Sequence, residues 1–245
     1  MNYQIDAPGS AIRTTVKLPA SKSISNRALI LNALSYSAYD VENLSDCDDT
    51  NLMVKALNSN DRDFNVGAAG TTMRFLTAFL SKVVGEWTIT GTERMKNRPI
   101  KVLVDALNAL GARIEYMEKE GYPPLRIFGS ALQGGEISLP GNVSSQYISA
   151  ILMIAPLTEN GVTLHLEGAI ISRPYIHITL QLMEQYGVRA SWTENTIKVL
   201  PQEYKPIRFT VESDWSAASY WYEMMALNGN IDSRIQLEGL MDCSK

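Results

Sequence analysis

Leu18-Pro19-Ala20-Ser21-Lys22-Ser23-Ile24-Ser25-Asn26-Arg27 runs directly into Ala28-Leu29-Ile30-Leu31-Asn32-Ala33-Leu34. Small hydroxyl residues flank one lysine, an arginine follows five positions later, and the helix behind them, over about 23–34, is almost wholly apolar. A helix apolar on every side must be buried. Its first turn combines unsatisfied backbone N–H groups with three serines and two cations, and so is suited to receive an anion. Read alone, the stretch is explained equally well as a serine-capped helix start with a solvated Lys and Arg.

Repetition along the chain changes that balance. Val66-Gly67-Ala68-Ala69-Gly70-Thr71-Thr72-Met73-Arg74 opens a second apolar helix through Phe75-Leu76-Thr77-Ala78-Phe79-Leu80, and Pro140-Gly141-Asn142-Val143-Ser144-Ser145-Gln146 opens a third through 147–155, stopped by Pro156. Each apolar helix is followed by a strand pattern (39–44, 87–90, 162–166) and then by an amphipathic helix. Asp48 and Asp49, with Ser45 and Thr50, read as the N-cap of the first amphipathic helix, a cheaper account than a catalytic carboxylate pair. Pro99 stands well for a first helical position, and Gly111 and Gly187 close the helices that follow Arg98-Pro99 and Arg173-Pro174. Ala56-Leu57-Asn58 and Ala106-Leu107-Asn108 match letter for letter. The pattern is an α/β (α+β) fold of three βαβαββ repeats, with buried parallel helices inside and sheets outside. Residues 3–18 read as one or two strands leading into the first repeat, and 59–66 leave it short of strands that the other two retain. Three helix N-termini related by this repeat should face one surface near Lys22, Arg27, Arg74 and Arg98, where a polyanionic small molecule is the natural ligand.

Composition agrees. The 245 residues are 45% apolar and 20% charged, as in a globular protein with a substantial core. Lys and Arg number 22 against 26 Asp and Glu, so no basic footprint argues for nucleic acid and any anion must be held by a local cluster. Cys47 and Cys243 are far apart in sequence, which speaks against a disulfide framework and for a reducing cytoplasm. His165 and His177 lack ligand spacing around them, so neither a metal site nor a cofactor is expected. Residues 1–6 carry no signal pattern, and no run is long enough to cross a bilayer, so no membrane partner is expected. Gly67-Ala68-Ala69-Gly70-Thr71-Thr72 lacks both the Gly-Lys-Ser/Thr ending of a P-loop and the glycine spacing of a dinucleotide fingerprint. Pro19 stands where a Ser-x-x-Lys nucleophile ending at Lys22 would need serine.

Leu18-Pro19-Ala20-Ser21-Lys22-Ser23 with Asn26-Arg27, Gly70-Thr71 with Met73-Arg74, Arg98-Pro99-Ile100, Ser144-Ser145-Gln146, Ser172-Arg173-Pro174-Tyr175 and the run 211–220 together resemble the EPSP synthase (3-phosphoshikimate 1-carboxyvinyltransferase) family, in correct order from about Thr15 to Tyr220. That resemblance implies two lobes of three βαβαββ units each. Residues 14–211 would form the first lobe, and 1–13 and 212–245 would be pieces of an incomplete second. It further implies transfer of the enolpyruvyl group of phosphoenolpyruvate to the 5-hydroxyl of shikimate 3-phosphate in aromatic amino-acid biosynthesis, by a monomer when full length. Lys22 would be catalytic and touch both substrates. Ser23 and Arg27 would hold shikimate, with Arg27 forking onto its carboxylate. Ser144, Ser145 and Ser172 would take its phosphate, Gln146 would reach both ligands, and Gly70 and Arg98 would hold phosphoenolpyruvate. Ala68 stands where many members have Asn and Phe75 where many have Pro, on the turn that shapes the phosphoenolpyruvate pocket and the response to glyphosate-type inhibitors.

The family's second lobe, with its proton-transferring Asp, has no counterpart up to Lys245, and 241–245 do not look like a natural domain end. The chain is therefore expected to bind substrate without completing catalysis. The related UDP-N-acetylglucosamine enolpyruvyltransferases are the enzyme alternative, but they carry Asn where Ser23 stands and a reactive cysteine loop with no equivalent near Cys47. A truncated, non-catalytic ligand-binding module is the alternative outside enzymes.

Overall fold

The computed structural model describes residues 10–241. Its first half runs β1 (Arg13–Lys17), α1 (Lys22–Leu34), β2 (Val41–Glu42), α2 (Asp48–Leu57), β3 (Asp63–Asn65), α3 (Gly70–Lys82), β4 (Gly85–Thr90), α4 (Glu93–Lys96), α5 (Lys101–Ala109), β5 (Arg113–Tyr116) and β6 (Leu125–Gly129). There follow β7 (Gly135–Pro140), α6 (Ser145–Ile154) with a 3-10 turn at Ala155–Leu157, β8 (Val162–Glu167), α7 (Arg173–Gln185), β9 (Ala190–Thr193) and β10 (Thr196–Val199). The last elements are β11 (Phe209–Thr210), α8 (Trp215–Asn228) and β12 (Arg234–Glu238).

Two of the repeats are complete and share one topology. In the sheet β3-β4-β6-β5, β3 runs parallel to β4 while β6 is antiparallel to both β4 and β5. The sheet β7-β8-β10-β9 repeats this, with β7 parallel to β8 and β10 antiparallel to β8 and β9. In each, the buried helix joins the parallel pair and the amphipathic helix leads into the antiparallel pair, which places helices inside and sheet outside. Gly111 (φ +100°) and Gly187 (φ +87°) follow the last residues of the turns that close α5 and α7, where the left-handed backbone favours glycine.

The first unit departs from the sequence reading in its origin. No strand lies between α2 and β3, as the short 59–66 segment foretold. Its opening strand, however, is not the described β1 of the 3–18 stretch but β11, which pairs parallel with β2 through Phe209↔Val41 and Thr210↔Glu42. β1 instead runs parallel to β12, with Arg13 opposite Arg234. Local pattern marks a segment as a strand but says nothing about its partner, and here the partner comes from the far end of the chain. Residues 3–9 of the expected strand lie outside the described residues, as does Cys243. Between the two associations the chain passes twice side by side: the Ser21 N–H donates to Glu212 O (2.9 Å), the Asp214 N–H to Pro19 O (2.8 Å), and Ala20 bridges Ser213.

α1, α3 and α6 pack on one another in the centre. Ala28, Leu31, Phe75, Leu76, Ile151 and Leu152 are all essentially buried, and the amphipathic helices close over them with Met53, Leu103, Leu107, Leu182 and Met183. α3 opens at Gly70 rather than Val66, because residues 67–68 turn and Gly67 takes φ +56°. The strand expected over 39–44 is only β2. Pro99 lies outside α5, which is preceded by Ile100 in the capping position, whereas Pro174 sits in the first turn of α7. The two Arg-Pro pairs are therefore not equivalent. Arg98 stands in a loop after α4, a one-turn helix that the hydrophobic pattern did not foretell, and Arg173 begins a helix.

Gly129 marks where β6 meets the end of α3. A Cβ there would lie 1.7 Å from Val83 O and 2.5 Å from Leu80 O, both backbone atoms that cannot step aside. Gly129→Ala is expected to cost about 3 kcal/mol by overpacking. In a thermal melt that corresponds to a midpoint lowered by roughly 6–12 °C; an unchanged melt would show that strand and helix are less tightly apposed.

Candidate functional site

The first turns of the three central helices open on one cavity of about 240 Å³. α1 contributes Lys22, Ser23 and Arg27, α3 contributes Thr71, α6 and its capping residue contribute Ser144, Ser145 and Gln146, and α7 contributes Tyr175. Ser21 caps α1 by accepting from the Ile24 N–H (3.4 Å), and Ser144 caps α6 by accepting from the Gln146 N–H (3.4 Å). Capping serines leave other N–H groups of the α1 and α6 first turns unpaired within the helix, so two partial positive charges border the space into which α3 also opens. The convergence expected from the repeat is thus present, and Lys22 stands exposed at the first position of α1.

Arg27 lies at the floor, only 2% exposed. Its Nε donates to Thr179 Oγ1 (2.7 Å), Nη1 to Ser23 O (2.8 Å), and Nη2 to Ser149 Oγ (3.0 Å) and Tyr175 O (3.4 Å), with the Phe75 ring centroid 5.4 Å from Cζ. Burial pushes its pKa down to about 10, so it stays protonated at neutral pH. Four of the five N–H donors are already committed within the fold. The free planar fork expected from the sequence is therefore reduced to one N–H and the charge.

A second cationic cluster lies alongside. Arg74 is buried, donates from Nη1 to Gly70 O (2.7 Å), and packs 5.4 Å from the Tyr147 ring centroid. Its buried Nε has no hydrogen-bond partner. Arg98 donates to Ala68 O (3.4 Å). Its pKa is lowered by burial first and then by the like charges of Arg74 and Arg94, against the opposing pull of Asp49 and Tyr147. Two guanidinium groups held this close carry a charge that an anion would relieve.

Asp49 corrects the sequence reading. α2 has Cys47 in its capping position and no side-chain cap. The Asp49 carboxylate instead accepts from the Thr71 N–H (3.0 Å), and Asp49 O accepts from Thr72 Oγ1 (2.6 Å), so Asp49 caps α3 across space. A cap from another element leaves no local spacing to detect. Gln146 Nε2 donates to Thr71 Oγ1 (3.0 Å) within the cavity, and Tyr147, the next residue, packs on Arg74 and donates from its OH to Pro99 O (2.6 Å) beside Arg98, so α6 borders both clusters.

Of the residues singled out from sequence, Lys22, Ser23, Arg27, Ser144, Ser145 and Gln146 share the cavity, while Gly70 and Arg98 form the adjoining cluster. Ser172 is half-buried in the capping position of α7 but does not line the cavity; Tyr175, three residues on, does. Arg74, expected among the cations at this surface, is in the adjoining cluster, while Thr71 and Tyr175 join the site beyond the expected set, one and three positions from Gly70 and Ser172. Gly70 is needed for space: a Cβ would lie 2.5 and 2.7 Å from the Arg98 guanidinium nitrogens and 2.6 Å from Arg74 Nη1. Those are tips of flexible side chains, so Gly70→Ala should leave the melting midpoint within about 3 °C while displacing both cations. Calorimetric phosphate binding should fall at least about tenfold, and unchanged binding would separate this cluster from anion recognition.

Comparison with known proteins accords with this architecture. The family model described as EPSP synthase (3-phosphoshikimate 1-carboxyvinyltransferase) matches residues 7–63 and 55–240. A 3-phosphoshikimate 1-carboxyvinyltransferase from Bacteroides fragilis is 59% identical over 241 residues, covering 98% of this chain and 58% of that protein. One from Vibrio campbellii is 42% identical over 251 residues, covering 91% and 59%. The solved EPSP synthase from Acinetobacter baumannii superposes with a TM-score of 0.77 at 21% identity, over 88% of this chain and 54% of that one. The chain thus spans somewhat under three-fifths of the length of these curated relatives. With its repeat architecture and its match over nearly all of its length, the chain belongs to the EPSP synthase family.

Proposed function

We propose that this chain carries the anion-binding half of a 3-phosphoshikimate 1-carboxyvinyltransferase site, in which shikimate 3-phosphate fills the cavity and phosphoenolpyruvate meets the arginine cluster. One observation carries the reading: the cavity lined by Lys22, Arg27 and the α6 serines adjoins the Arg74–Arg98 cluster, because Gln146 faces the first through Thr71 while Tyr147, the next residue of α6, packs on Arg74 and bonds Pro99 O beside Arg98. Two anions reacting with each other need such adjacency. Ser144 and Ser145, with the α6 N-terminus, suit a phosphate; Arg27 offers its remaining N–H and its charge to a carboxylate. Ser23 and Tyr175 border the ring, while Ser172 can reach the phosphate only by turning toward the cavity. Arg74 and Arg98, over the Gly70 backbone, suit the phosphate and carboxylate of the second substrate.

In the reaction the shikimate 5-hydroxyl would lose its proton as its oxygen bonds to C2 of phosphoenolpyruvate, and the electron pair of the C2–C3 double bond would take up a proton at C3. Phosphate then leaves the tetrahedral carbon as a C3 proton is lost and the double bond re-forms. Lys22, the exposed cation at the cavity mouth, would balance the charge that shifts during these steps. The proton-transferring group is not among the residues gathered here. Residues 14–211 would form one lobe, and 1–13 with 212–245 would belong to a second; the pairing of β1 (Arg13–Lys17) with β12 favours drawing the first boundary after Lys17. Among the described residues no helix is long and apolar enough to cross a membrane, and a cytoplasmic enzyme, monomeric at full length, fits that reading.

Titration of the 245-residue chain with shikimate 3-phosphate should give weak, saturable binding, weakened about tenfold by Lys22→Ala. A flat titration that Lys22→Ala leaves unchanged would overturn the assignment. With both substrates present, the chain alone should release no phosphate above background; steady EPSP formation would show that its half of the site suffices.

A further inference from the structure

We propose that Ser149, Thr179 and Phe75 are positioning residues, a neutral shell that holds the Arg27 guanidinium buried, oriented and unneutralised for an anionic group in the cavity. The anionic group rests on the proposed function; the shell rests on geometry alone. Ser149, Thr179 and Phe75 are each fully buried, and they come from α6, α7 and α3, while Arg27 comes from α1. Four helices therefore meet at one guanidinium.

The hydroxyl hydrogens leave little freedom. Thr179 Oγ1 donates to Tyr175 O (3.0 Å) and accepts from Arg27 Nε (2.7 Å). Its 2.7 Å contact with Ser149 Oγ then requires Ser149 to donate, which leaves the Ser149 lone pairs for Arg27 Nη2 (3.0 Å). Each hydroxyl gives its proton to another oxygen and turns a lone pair to the cation, and the run ends on the carbonyl of cavity-lining Tyr175, itself an acceptor for Arg27. Phe75 places its ring against the guanidinium, where the negative quadrupole adds attraction without charge. Among the described residues no carboxylate lies within ion-pair distance of Arg27. Burying a cation normally demands a counter-charge. Here dipoles take that place, and dipoles orient and solvate a charge without cancelling its field.

Thr179→Val keeps the shape, removes the hydroxyl, and strands both the Arg27 Nε–H and the Ser149 proton. Thr179→Ser restores the hydroxyl, and Phe75→Leu removes the ring face. Two readouts separate the questions. Exchange of the Arg27 Nε–H with water, followed by ¹⁵N–¹H NMR of the unliganded chain, should be slow in the parent and in Thr179→Ser and at least about tenfold faster in Thr179→Val. Calorimetric affinity for shikimate 3-phosphate should fall about tenfold in Thr179→Val and in Phe75→Leu and recover in Thr179→Ser. Unchanged exchange in Thr179→Val overturns the shell. Faster exchange with unchanged affinity overturns its link to the ligand. A parent chain that binds no shikimate 3-phosphate while its exchange pattern follows expectation overturns the functional reading and leaves the shell standing.

Discussion

A cation buried without a counter-charge must be solvated by dipoles held in place, and Arg27 imposes that condition on the centre of this protein. Its donors reach helix α1's own backbone, a hydroxyl on α6, and a hydroxyl and a carbonyl on α7, and α3 supplies the ring beneath it. Displacing α3, α6 or α7 by a few ångströms would take at least one of these groups out of reach. The apolar packing of α1, α3 and α6 provides the driving force for assembly. Arg27 makes that packing specific, because a misplaced helix leaves a charged group unsatisfied in a dry interior.

The same arrangement explains how an acidic chain recognises anions. With 26 acidic against 22 basic side chains, attraction must come from local geometry rather than overall charge. Serine-capped helix mouths contribute fixed dipoles around the cavity, and Arg74 with Arg98 contributes full charge beside it. Asp49 is placed where it steadies α3 through the Thr71 N–H, while Gln146 occupies the Thr71 side chain from the other side. The junction between the two clusters is thus held through neutral contacts and one carboxylate. This leaves the guanidinium groups on either side available to ligands.

Much of this was legible in the residue pattern because the relevant interactions are local. Apolar runs at 28–34, 75–80 and 147–155, preceded each time by small polar residues, identify buried helices with open first turns. Their recurrence identifies the repeat, and the shortness of 59–66 foretold the missing strands of the first unit. What stayed hidden were pairings between distant segments. β11 completes the first unit from residue 209, Asp49 caps a helix it does not belong to, and the donors of Arg27 are engaged by residues 122 and 152 positions away. Arg98-Pro99 and Arg173-Pro174 look alike as letters, yet one pair lies in a loop and the other starts a helix.

The sequence by itself determined the identity of the buried helices, the polar character of their first turns, the incomplete first repeat and the family. Each of these depends on hydrophobic periodicity, capping chemistry or motif order, which are properties of neighbouring residues. Tertiary structure alone decided which strand closes the first unit, which helix Asp49 caps, and how much of Arg27 remains for a ligand. A hydrogen bond is satisfied by whatever partner folding brings within about 3 Å, and distance in space is not encoded in distance along the chain.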